Sequence, residues 1–378
     1  MQEGRKADER ALTSNIRRKA LALRKRRRKY IILLVAELLA GIAALAVAVI
    51  FFYVRGKYTV MNEQPEDISF VKEDITHNED VDIDFDELEE KYWLIMAYGV
   101  DARNNSDILK DANADTDIIV CINRETYEVK LVSVLRDSYL CTTSGKYRKL
   151  TDIYAGYGVK ESMETINKNF DLNSTQYVTV NWKAVGTAID LLGGVDIEVT
   201  NAEIKQLNSY GYEVGQITGY GFTSLSSGEG VRHLNGTQAV GYARIRNVTI
   251  DGEGHDIARA TRQRKVINAM LQAAKEASLG DLNNILSDVL PLMATNISFS
   301  EALSVLPNIS KYSIVDQGCF PFHYIDQENL TTAYVYYNTL ASNVTELHEF
   351  LFGTVDYSPS GTVRNISAYI DDYRREHP

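Results

Sequence analysis

The sequence predicts an α/β protein, a three-layer α/β/α sandwich around a mixed central sheet, preceded by one transmembrane helix. Three observations lead there. From Trp93 onward, apolar runs of strand length alternate with segments of helical period, the pattern of an α/β domain. Ile31 to Val54 is an apolar run whose only charge is Glu37, long enough to cross ~30 Å of hydrocarbon as a helix. The composition, 45% hydrophobic and 24% charged, is that of a globular chain, and 378 residues hold one large domain or two ordinary ones.

Residues 1–30 form a basic tail, with twelve Lys/Arg against three acids in a chain of net charge −11. A basic block before an apolar span stays in the cytoplasm, which puts everything after residue 54 outside. The run outlasts a signal-peptide core, and no small-residue cleavage site accompanies Phe51, Phe52 and Tyr53, so an uncleaved anchor is expected. The basic block also has the composition of a nucleic-acid tail. Its place beside the span fits contact with anionic lipid instead, and no nucleic acid is expected as a partner. Residues 55–90 lack a steady apolar period and read as an acidic extracellular stalk with a short helix at its end.

The domain is expected over 91–355, with a polar tail at 356–378. WLIMAYGV, closed by Asp101, is a buried strand. TDIIVCIN and VKLVSVLRD are two more, joined by RETYE as a hairpin. Tyr157–Asp171 has helical spacing, QYVTVNW is a strand, and KAVGTAIDLL is a helix stopped by Gly193 and Gly194. VDIEVT is a strand. One helix starts at an Asn235 cap and a longer one at an Asp256 cap. LNNILSDVLPLM and SNVTELHEFLF are amphipathic and continue the domain. The three cysteines show no metal-ligand spacing. Cys141 and Cys319 lie in loop-like contexts, which points to a bridge between them, whereas Cys121 sits in an apolar strand as a buried thiol.

The segment YARIRNVTIDGEGHDIARATRQR gathers Arg244, Arg246, Arg259, Arg262 and Arg264 within an acidic chain. Arg259, Arg262 and Gln263 share one helix face, near a helix start that adds its own positive potential. Guanidinium forks match phosphate oxygens, so the cluster reads as a site for phosphate or pyrophosphate. A solvated helix face is the plainer alternative. Asp101 ends one buried strand and Asp115 begins the next, with Asp117 on the same face as Asp115. Two such carboxylates facing arginines would suit Mg²⁺, which takes one or two carboxylates plus phosphate oxygens. Asp107 and Asp111 are assigned to solvent. Arg136 stands at another strand end, where local pairing with Asp137 is the plainer reading, and Lys149 precedes a helix.

The order of these pieces resembles the LytR-CpsA-Psr family of cell-envelope proteins: Asp101-x-Arg103, Ala114-Asp115-Thr116, Leu135-Arg136-Asp137-Ser138, Lys149-Leu150, Leu191-Leu192-Gly193-Gly194, Leu234-Asn235-Gly236, Arg244-Ile245-Arg246, and Asp256-x-x-Arg259-x-x-Arg262-Gln263. The resemblance is close over about 90–275. It implies a phosphotransferase that moves an anionic glycopolymer, such as teichoic acid or capsule, from a polyprenyl-pyrophosphate carrier to peptidoglycan, at the plasma membrane of a Gram-positive-type bacterium. It implies that Asp101 and Asp115 hold Mg²⁺ or Mn²⁺, and that Asp101, Arg136, Arg244 and Arg246 act in catalysis. Arg103, Lys149, Arg259, Arg262 and Gln263 are the implied pyrophosphate ligands, and an apolar tunnel between sheet and helices would take the lipid. The chain departs from the family at Ala114, Leu140 and Asp117, the last replacing a commonly apolar residue. A pyrophosphatase acting on the same carrier, and a non-catalytic polyprenyl-phosphate sensor, are the rival functions.

Overall fold

The computed structural model describes residues 72–101, 112–278, 285, 288–289, 292–298, 301, 304–325 and 334–377. The basic tail, the run 31–54 and residues 55–71 of the stalk lie outside the described residues. So do Arg103, Asp107 and Asp111. Among the described residues, no helix is long and apolar enough to cross a membrane.

The end of the stalk is helix α1 (Phe85–Lys91), capped by the Asp84 carboxylate, which accepts from the amides of Asp86 and Glu87. It leads directly into β1 (Tyr92–Val100). Next come β2 (Ala114–Asn123) and β3 (Glu128–Val134), which form the expected antiparallel hairpin. With β6 (Gln176–Asn181), β9 (Met293–Thr295) and β10 (Ser313–Phe320) they make a six-stranded sheet of order β10-β3-β2-β1-β6-β9. β1 runs parallel to β6 and antiparallel to β2, and β10 runs parallel to β3, so the sheet is mixed.

Alternation along each strand sends side chains to opposite faces. On one face Met96, Tyr98, Ile119, Cys121 and Val132 pack against Met163 and Phe170 of α2 (Leu150–Phe170), Leu347 and Leu351 of α7 (Leu340–Phe352), and Ile366 and Ile370 of α8 (Gly361–Glu376). On the other face, Ile118, Val129 and Leu131 meet Ile267 of α6 (His255–Glu276) and Tyr312. Helices and their connections therefore cover both faces. The stretch beyond 355, expected as a polar tail, holds α8, whose Val363, Ile366 and Ile370 are buried. A polar composition with apolar residues three and four apart is an amphipathic helix.

A second apolar cluster lies beside the sheet. It joins a two-stranded ribbon, β7 (Val195–Val199) with β8 (Gly230–Leu234), to α3 (Trp182–Leu191), α4 (Asn201–Thr218), α5 (Gly236–Ala243) and the middle of α6. Asn235 caps α5 as expected, in a reciprocal capping box with Gln238. The helix expected to begin at Tyr157 starts at Leu150 and breaks at Gly158, whose φ of 86° only glycine adopts freely. Between strands, the short hairpin of β4 (Tyr139–Cys141) and β5 (Tyr147–Lys149) leads into α2.

Buried polar residues fasten the ends of the domain. Asp171, fully buried after α2, accepts hydrogen bonds from Asn78 Nδ2 at 2.7 Å, Tyr357 Oη at 3.0 Å and the Ser360 amide at 2.7 Å. The anticipated Cys141–Cys319 bridge is not formed. Cys141 is buried on β4 beside Asn169 of α2, Cys319 lies on edge strand β10, and both are free thiols, as is buried Cys121.

Candidate active site

The site grows from one end of the sheet. β1 and β2 pair up to Val100 and Ala114, with a register shift after Gly99, and the Asp101 amide donates to Asn113 O. A Cβ on Gly99 would stand 2.9 Å from Thr116 Cβ, so the irregular register requires a glycine here. Asp101 and Asp115 are thereby held at the same sheet end, both half-buried. Arg136 follows β3 at that end, its strand partner β2 delivering Asp115 beside it.

The two carboxylates Asp115 and Asp256 knit the cluster together. Arg136 Nη1 donates to Asp115 Oδ1 at 2.5 Å, and its Nε lies 3.7 Å from Asp256 Oδ2. Arg259 reaches both acids, at 4.0 Å to Asp115 and 3.3 Å to Asp256. Arg246 Nε stands 3.4 Å from Asp256, and Lys149 Nζ 3.3 Å from Asp137. Four cations thus share three carboxylates in a partly exposed cluster, where Arg136 and Asp115 keep 24% and 25% of their side-chain surface. Burial opposes the charge on Arg136, but Asp115, Asp256 and Asp137 outweigh it and raise its pKa. For Arg259, burial dominates and lowers the pKa despite Asp256.

The sequence expectation for Asp256 is corrected. The N-cap of α6 is Gly254, and no side chain caps the helix. The Asp256 carboxylate turns instead to three guanidinium groups, whose charge outcompetes the amides of its own first turn.

Arg262 is corrected as well. It does not join the cluster. It is fully buried in the second apolar cluster, where Nε donates to Glu203 at 2.9 Å, Nη1 to Ile245 O at 3.2 Å and Nη2 to Val248 O at 2.8 Å. Those two carbonyls bracket Arg246, so Arg262 acts by fixing the loop that presents it. Arg244, at the end of α5, pairs with Glu213 at 3.1 Å and lies 3.8 Å over Trp182, a set of neighbours apart from those of Arg136 and Arg259. Gln263 is half-buried on α6.

Sequence reasoning missed the partners Glu213 and Trp182, since only the fold brings them to Arg244, whereas Asp256 already stood in the family pattern beside Arg259. Asp117 carried a signal, a carboxylate amid apolar residues. It is 2% exposed on the face of β2 that carries Ile119 and Cys121, and neither oxygen has a hydrogen-bond partner among the described residues. Burial first, then the charge of Asp115, push its pKa well above the usual carboxylate range, which favours the neutral form.

Comparison with known proteins fits this arrangement. The LytR_cpsA_psr family profile matches residues 50–352. A polyisoprenyl-teichoic acid–peptidoglycan teichoic acid transferase TagU from Enterococcus faecalis is 29% identical over 213 residues, 55% of this chain and 63% of that protein. Biofilm regulatory protein A from Streptococcus mutans is 30% identical over 234 residues, 60% of this chain and 54% of that protein. These matches span less than two thirds of the relatives' own length. In fold, the chain is similar to the LytR-CPS2A-psr protein YwtF (TagT) with bound octaprenyl pyrophosphate lipid, at TM-score 0.52 and 22% identity over 74% of this chain and 99% of that one. The sequence match over most of the chain, on a mixed sheet whose end gathers these arginines and carboxylates, places the protein in the LytR_cpsA_psr family.

Proposed function

We propose that the protein transfers an anionic glycopolymer from a polyprenyl-pyrophosphate carrier to a sugar hydroxyl of peptidoglycan. The observation that carries this reading is the network in which Asp115 and Asp256 hold Arg136, Arg246 and Arg259 in one partly exposed cluster. A diphosphate entering there would exchange its oxygens for carboxylate oxygens as partners of the guanidinium forks. The names of the relatives, a teichoic acid transferase and a lipid pyrophosphate complex, support the same substrate class.

In the reaction, the acceptor hydroxyl oxygen forms a bond to the sugar-proximal phosphorus, and the bond from that phosphorus to the bridging oxygen breaks. Polyprenyl phosphate leaves with the bond's electron pair, and the hydroxyl proton passes to a base, the role this reading gives Asp101. Arg136, Arg246 and Arg259 bind and orient the phosphates and take up charge on the non-bridging and leaving oxygens. Lys149, beside Asp137, adds a further cation to the rim.

Asp101 and Asp115 would hold Mg²⁺ or Mn²⁺. Their hard carboxylate oxygens fit an ion that needs one or two carboxylates plus substrate phosphates. Both stand half-buried at the same sheet end, and Asp115 lies beside Arg136 and Arg259, the guanidinium groups proposed to bind those phosphates. Bound, the ion would supply Lewis-acid neutralisation of the phosphate oxygens. We further read residues 31–54 as a membrane anchor that keeps this domain outside the cell.

The test is transfer from a lipid-pyrophosphate-linked glycan by the full-length protein in detergent, with and without peptidoglycan. Acceptor-dependent appearance of glycan on peptidoglycan, absent in Asp115→Ala, is expected. Equal release of lipid phosphate with and without acceptor would identify a hydrolase. Glycan-lipid binding without turnover under either condition would identify a sensor.

A further inference from the structure

A row of tyrosines leads away from the cluster. Lys149 lies 5.7 Å over the Tyr334 ring while its Nζ faces Asp137. Tyr334 packs on Tyr139 at 4.4 Å, and Tyr139 on Tyr373 of α8 at 5.3 Å. Tyr147, which shares a face of β5 with Lys149, stacks on Tyr369 of α8 at 4.0 Å and 20°. The row changes character along its length. Tyr139 is 5% exposed and belongs to the core, whereas Tyr369 keeps 47% of its surface in solvent.

Two observations argue for a ligand here. Helix α8 brings Tyr369 and Tyr373 against Tyr147 and Tyr139 of the β4–β5 hairpin, whose last residue is Lys149. Its aromatic face is continuous with a cation of the proposed phosphate site, through Lys149. An exposed tyrosine combines a broad apolar ring with a polar hydroxyl, which suits a sugar, whose ring also has an apolar C–H face edged by hydroxyls. An anionic membrane fits less well, because the end of α8 neutralises its own charge: Arg374 and Arg375 both bond to Asp371.

We propose that Tyr369 and Tyr147 form a sugar-stacking subsite for the donor glycopolymer, a reading that rests on the proposed transferase function. The donor is covalently attached to the diphosphate, so its first sugars emerge beside the phosphate-binding cations. The path outward from Lys149 is lined by these rings.

The experiment compares wild type, Tyr369→Ala and Tyr369→Trp as full-length proteins. A stacking contact is worth on the order of 1 kcal/mol, so Tyr369→Ala is expected to raise KM for the glycan-linked donor about fivefold. Expected alongside are an unchanged kcat, unchanged binding of polyprenyl pyrophosphate lacking glycan, and recovery in Tyr369→Trp. Binding of a soluble oligosaccharide of the polymer, weakened in Tyr369→Ala, reads the subsite independently of turnover, so it stands even if the transferase reading fails. An unchanged KM with unchanged oligosaccharide binding would overturn the proposal, as would equal losses for carrier with and without glycan. A rise confined to the peptidoglycan KM would assign the rings to the acceptor and overturn the donor assignment. Loss of binding to glycan-free anionic vesicles with donor KM unchanged would make the row a membrane contact instead.

Discussion

Arg259 and Arg262 lie three residues apart on α6, and their neighbourhoods differ in kind. Arg259 reaches Asp115 and Asp256 over 3.3 to 4.0 Å, and both acids keep about a quarter of their side-chain surface in solvent. Arg262 bonds Glu203 and two backbone carbonyls at 2.8 to 3.2 Å, with no exposed surface. One helix thus carries two uses of the same side chain. Charge held among carboxylates can be handed to a ligand, while charge whose three nitrogens each bond to the protein sets backbone geometry.

The largest expected effect tests the buried member. Arg262→Met leaves the Glu203 carboxylate buried without its counter-charge and should cost about 3–5 kcal/mol in urea unfolding. Adding Glu203→Gln should restore part of that. Activity at permissive temperature should fall through the displaced Arg246 loop. Next, Arg259→Ala should lower transfer on the order of 10²–10³-fold while leaving the thermal midpoint within a few degrees of wild type. If it destabilised the fold as much as Arg262→Met, the distinction between the two arginines would be lost.

A smaller effect comes from a buried group away from both. His348 stacks on Tyr357 at 3.8 Å, its Nε2–H donates to Phe170 O, and burial lowers its pKa to about 4. The unfolded chain takes up a proton near pH 6.5 that the folded chain refuses until about 4. Stability therefore falls as pH drops through that window, by roughly 3 kcal/mol in all. His348→Gln should remove that slope from the pH profile of the unfolding free energy.

Much of this architecture was legible from the chain. The strands over 92–100, 114–123 and 128–134 announced themselves by apolar run length, and α5 by its asparagine cap. α4 was missed because Gly211 and Gly215 interrupt its pattern, although Thr200 and Glu203 form a capping box that marks its start. Gly211 and Gly215 are there for packing, since a Cβ on either would strike Phe222 or the backbone of Gly221. Edge strand β10 was missed because Val315, Asp316 and Gln317 face solvent and break the expected alternation. For the site, residue types and strand ends pointed to Asp101, Asp115, Arg136 and Arg259. Which way each guanidinium points was not legible, since helical spacing puts Arg259 and Arg262 on one face while the two sub-cores pull them apart.

Asp171 has a mechanical consequence. One carboxylate grips Asn78, where the chain enters the domain, and Tyr357 and Ser360, where its last segment folds back. Tension arriving through the segment ahead of residue 72 would therefore load both termini at a common clasp. The clasp would be strained before the strands that carry the chemistry were peeled apart.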